Sequence, residues 1–130
     1  MVTKISPGSV DDTVSRLTAV LDERGITLFA VVDHSGAAEA AGLELRDTKV
    51  VIFGSPVAGT PIMEASPLAA LDLPLKVLVW DDGGRTQLNY VEPAELARRY
   101  GLTDELAARL AAIDSVTDAV ATPQTQSSRR

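Results

Sequence analysis

Few side chains in this sequence could do chemistry, and they gather in two places. His34 is the only histidine and follows Asp33 where an apolar run ends. An imidazole titrates near neutral pH, so His34 with Asp33 or Glu64 could exchange a proton with a substrate. His34 could equally cap a short helix over residues 36–41 or bond a backbone carbonyl. The second place is Gly54-Ser55-Pro56-Val57-Ala58-Gly59-Thr60, between a strand and a helix start. It has the spacing of a phosphate-binding loop, but Thr60 stands where the lysine belongs and Pro61 follows, so nucleotide triphosphate hydrolysis is not expected. What the loop retains is glycines that let a ligand approach the backbone and N–H groups that tolerate an anion. Gly54, Ser55, Gly59, Thr60 and Glu64 are therefore the ligand-binding candidates, against a plain structural turn as the other reading.

The remaining candidates fall away on chemistry. With no cysteine and one histidine, Asp33, Glu39 and Glu64 would have to join a single imidazole to hold a metal, and their spacing does not bring them together; no metal site is expected. Ser35, Ser55 and Ser66 lack the Gly-x-Ser-x-Gly elbow of a serine nucleophile. Trp80 and Tyr90 sit in strand-like runs and read as core or interface residues. No cofactor can be named.

Elements must position these groups. A weak strand over 2–5 precedes a helix that Ser9 caps, with Val10, Val14, Leu17 and Leu21 on one stripe and Gly25 past its end. Strands are expected at 27–32, 48–53, 75–80 and 86–91, the last two joined as a hairpin through Asp81-Asp82-Gly83-Gly84-Arg85. Thr60 can cap a short helix with Pro61 in its first position, and another helical turn is expected at 68–71. Pro93 opens a helix to Tyr100, and Thr103 caps a last helix whose Leu106, Leu110, Ile113, Val116 and Val120 face inward. Residues 122–130 are polar and aperiodic, an expected disordered tail. Several strands are apolar on both faces, so helices should cover one face, and a second subunit or the last helix part of the other.

At 130 residues and 45% apolar composition, a single α+β domain over 1–121 is the expected organisation. Twelve basic against 18 acidic residues give a net charge of −6 and no basic stripe, which argues against nucleic acid. The absence of cysteine, of a signal-like start and of any apolar run near the ~20 residues of a membrane span points to the cytoplasm and away from membranes.

The combination Phe29-x-x-x-Asp33-His34, Gly54 with Pro56, Gly59-Thr60-Pro61-Ile62-Met63 and Leu71-Asp72-Leu73-Pro74-Leu75-Lys76-Val77-Leu78-Val79-Trp80 resembles the domain of unknown function 302 family over residues 5–102. Where that family usually has Asn in the Gly-Asn-Pro loop, this chain has Ser55. The resemblance implies a TATA-binding-protein-like arrangement, a curved antiparallel sheet of four to five strands packed by helices, and members able to form homodimers; it implies no reaction. It makes the helix over 103–121 a local addition. The expected function is a homodimeric small-ligand or partner-binding module with an anionic ligand at 54–60. A small enzyme using His34 and a structural or assembly protein are the alternatives.

Overall fold

Five runs rich in Val, Ile, Leu, Thr and aromatic residues form the strands of one antiparallel sheet: β1 (Val2–Ser6), β2 (Thr27–Asp33), β3 (Thr48–Gly54), β4 (Leu75–Asp82) and β5 (Arg85–Tyr90). The computed structural model describes residues 1–121, so the expected tail over 122–130 lies outside the described residues. The strand order is β1-β5-β4-β3-β2, which makes β1 and β2 the edges. Among the described residues six helices complete the α+β fold: α1 (Val10–Glu23), α2 (His34–Ala40), α3 (Pro56–Ala65), α4 (Pro93–Tyr100), α5 (Asp104–Ala108) and α6 (Ala112–Asp118), with a 3-10 segment at Pro67–Asp72.

Local chemistry explains most boundaries. The Ser9 hydroxyl accepts from the Asp12 N–H at 3.0 Å, Asp11 and Asp12 sit in the first turn of α1, and Gly25 follows at φ 68°. Gly83 and Gly84 take φ of 61° and 95° between the paired Asp82 and Arg85, the two-residue turn that matches strand twist.

Register sorts the sheet residues into two faces. Val51 opposes Val77, Phe53 opposes Leu75, and Val79 opposes Leu88; all are buried together with Tyr90. Onto this face pack Val10, Val14, Leu17 and Leu21 of α1, and Ile113 and Val116 of α6. The opposite face carries Val50 against Leu78 and Thr48 against Trp80, with Ile52 beside them, all only half-buried.

Three expectations need correcting. The last helix does not hide the second face: α6 lies on the same side as α1, tied there by Arg24 Nη1 to Ser115 Oγ at 2.7 Å and by Lys4, which faces the core side opposite Leu88. Nor is it one helix. Leu110 and Ala111 donate to Ala107 and Ala108, a tighter i to i−3 pattern that ends α5 and lets Leu110 turn into the interior. Finally, α3 starts at Pro56 rather than Thr60, because Pro56 occupies the first position and Pro61 falls inside the helix.

Candidate functional site

A cavity of about 280 Å³ opens where β3 runs into α3. The β3–α3 connection supplies Gly54, Ser55, Gly59 and Thr60; Phe29, Met63, Pro74 and Leu110 supply apolar surface, and Arg109 is the one charged side chain among the described residues. A Cβ on Gly54 would lie 3.4 Å from Pro74 Cβ and 3.7 Å from the Phe29 ring, in ordinary contact with both. Thus β2 contributes the outer wall although all its residues are exposed.

Pro61 shapes the charged edge of this cavity. Without an N–H it cannot bond the carbonyl four residues earlier, that of Val57. Arg109 Nη1 instead stands 3.5 Å from that oxygen. The freed carbonyl thus gives a weak foothold to a guanidinium on another element, and it leaves most of the five guanidinium donors available.

The loop's anion-binding capacity is smaller than its sequence suggests. Pro56 has no N–H, while Ala58 and Gly59 donate to the Ser55 carbonyl at 3.1 and 2.8 Å. The Ser55 hydroxyl makes no capping bond, so it remains available at the cavity wall. Glu64 lies on α3 but is not among the residues lining the cavity.

Asp33 and His34 are placed elsewhere. Asp33 caps α2: its Oδ1 accepts from the Gly36 N–H at 2.9 Å and from the Ser35 hydroxyl at 2.8 Å. The backbone bond from Gly36, then that from Ser35, hold its carboxyl below the ordinary aspartate range. His34 is exposed at the first position of α2, which starts two residues before the expected Gly36 because Asp33, not His34, supplies the cap. Asp33 and Ser35 line a separate open basin of about 420 Å³ with Asp11, Glu39, Glu44 and Asp47. Among the described residues Lys49 is its only cation and is bound to Asp11 at 2.7 Å, so the basin repels anions. The two groups of candidates therefore occupy distinct sites of opposite character. Among the described residues, no three His, Cys, Asp or Glu side chains converge to hold a metal ion.

A polar cluster fixes α6 and with it one side of the cavity. Lys4 Nζ donates to the Asp114 carbonyl at 3.1 Å and to Thr117 Oγ1 at 2.7 Å, and pairs with Asp118 at 2.8 Å. Burial pushes the Lys4 ammonium toward neutrality, but its bonds to Asp118 and Tyr90 more than offset this, and its pKa is held above the ordinary lysine value. Tyr90, whose hydroxyl donates to Asp114, is raised chiefly by burial.

Sequence reasoning missed Arg109, Met63 and Leu110 as cavity residues, and read Phe29 only as a strand residue. Pro61 was the available signal: a proline inside a helix leaves a carbonyl for a donor from elsewhere.

Comparison with known proteins adds the family. Residues 2–120 match the Domain of unknown function DUF302, a span that takes in α5 and α6 and exceeds the 5–102 core expected from sequence. A crystal structure of an uncharacterized conserved DUF302 protein from Bacillus stearothermophilus is similar at TM-score 0.77, covering 92% of this chain and 94% of that one at 18% identity, a likeness of fold. "Fluoride-specific ion channel FluC 1" of Brucella suis biovar 1 (strain 1330) is 41% identical over 103 residues, 78% of this chain. "Fluoride-specific ion channel FluC 2" of Brucella melitensis biotype 1 is also 41% identical over 103 residues. The chain spans about two-fifths of the length of these curated relatives. Among the described residues no helix is long and apolar enough to cross a membrane. The family match runs over residues 2–120, nearly the whole chain: this protein belongs to the DUF302 family.

Proposed function

We propose that this protein is a non-catalytic, homodimeric binding module whose small-molecule ligand sits in the cavity between β3, α3 and the α5–α6 connection. One observation carries this reading: an apolar hollow of about 280 Å³ lies against the Gly54–Thr60 loop. Binding sites are typically concave and mostly apolar, with a few polar groups that orient the ligand. The exposed His34, and an Asp33 carboxylate already engaged in capping α2, favour binding over proton-transfer chemistry.

Thermal-shift screening of the full chain tests it. Ligands that raise the midpoint of the wild type should lose their effect on Gly59→Leu, which places a side chain at the cavity wall, and keep it on His34→Ala. Shifts that vanish with His34→Ala and survive Gly59→Leu would move the site to the acidic basin.

The names of the curated relatives favour a second reading, in which the module attends a fluoride channel. Fluoride itself does not suit an apolar cavity with one guanidinium, so the module would act beside the conducting path. Fluoride flux through channel-containing vesicles, measured with and without this protein, tests that reading; equal flux counts against it.

A further inference from the structure

We propose that the cavity takes an amphipathic monoanion: a linear apolar body with one carboxylate-type head, the body inside and the head on Arg109. This rests on the reading of the cavity as the binding site and names its ligand class.

Size and lining define the body. A volume of about 280 Å³ lies near the lower end of the roughly 300–1,000 Å³ of small-molecule sites, room for one short apolar chain. Phe53 and Ile62 at its base are fully buried, and Met63 adds a thioether that adapts to irregular shapes. Such a surface gives a sugar or a nucleobase few partners for its polar atoms, and burying those atoms unbonded is unfavourable.

Charge defines the head. Among the described residues no carboxylate lines the cavity, and Arg109 is its one ionised side chain. Among the described residues Arg109 takes part in no ion pair, unlike Arg16 and Arg99. It makes a long contact to the Val57 carbonyl that Pro61 leaves unbonded, so the guanidinium stands at the cavity edge with donors to spare. A planar carboxylate matches that fork, and the Ser55 hydroxyl, which also lines the cavity, offers a further donor. One guanidinium balances one negative charge, which favours a monoanion over a phosphate-bearing ligand.

Calorimetric titration of the full chain with decanoate, decanol and decyltrimethylammonium separates the claims. Decanoate should bind with a Kd on the order of 10–100 μM, decanol more weakly and the cation weakest. Arg109→Gln should weaken decanoate roughly fivefold and leave decanol unchanged, and Arg109→Lys should restore most of the loss. Gly59→Leu, with Ala58→Phe as a second blocking variant, should abolish binding of decanoate and decanol alike. Equal affinity for acid and alcohol, or an Arg109→Gln variant that binds decanoate normally, overturns the monoanion class while the cavity stands. Undiminished decanoate binding by both folded blocking variants, or no binding of any probe to the wild type, overturns the cavity as well.

Discussion

Lys4 shows how one residue can serve both stability and the site. It lies on β1, yet its ammonium bonds to Asp114, Thr117 and Asp118 of α6, so it holds the α5–α6 side of the cavity against the sheet. Lys4→Met keeps the stem and removes the charge; Asp118 is exposed enough to be hydrated, so the expected cost is about 1–2 kcal/mol in a denaturant titration. The pKa directions fix where pH acts. Lys4 and Tyr90 both titrate higher in the folded protein, so their contributions are complete below the unfolded pKa values and are lost as pH rises through the folded ones. Alkaline unfolding monitored by circular dichroism should therefore be steeper for the wild type than for Lys4→Met. Asp33 is the opposite case. Its folded pKa is depressed, so its capping of α2 is present above the ordinary aspartate pKa and lost as pH falls through the lowered value. Amide exchange in α2 should accelerate in strong acid, and Asp33→Asn should blunt that change.

At the scale of elements, α1, the β4–β5 hairpin and α4 were legible because local signals agree: a cap, a 3.6-residue stripe, paired glycines between strands, a proline at a helix start. The start of α3 was not, because two prolines compete for the first helical position and only the surroundings choose between them. Gly59 consequently lies inside a helix, where it is unfavourable. A Cβ there would meet nothing nearer than Met63 Cε at 3.9 Å, so Gly59→Ala should stabilise the protein by about 0.5–1 kcal/mol, readable as a higher denaturant midpoint. Ser9→Ala should cost about 1 kcal/mol through the lost cap of α1.

For the whole molecule the decisive feature is the uncovered sheet face. Val50, Ile52, Leu78 and Trp80 form an apolar patch beside Thr3, Gln87 and Asn89, with two cations at its margin: Lys76 opposite Ile52, and Arg46 over the Trp80 ring at 5.7 Å. An apolar patch that no helix of the described residues covers supports the proposed homodimer. Sedimentation should show a concentration-dependent dimer, and Leu78→Glu, central in the patch, should shift it to monomer; a wild type that stays monomeric at every concentration counts against the proposal. The candidate site was half legible for a related reason. Glycine spacing pointed to the Gly54–Thr60 loop, but nothing in the spacing showed that Asp33 and His34 lie outside its cavity, or that Phe29 and Arg109 close it from β2 and from the end of α5.

By itself the sequence determined what short-range physics controls: the strands and their two-sided greasiness, the first helix and its cap, the hairpin turn, the acidic balance, and a glycine loop at the end of β3. Tertiary structure alone decided which face the last helices cover, where α3 begins, and that the loop borders an apolar hollow with one guanidinium rather than an anion cradle. Those outcomes depend on contacts between residues far apart in the chain, such as Lys4 with Thr117 and Arg109 with Val57, whose free energies no local pattern encodes.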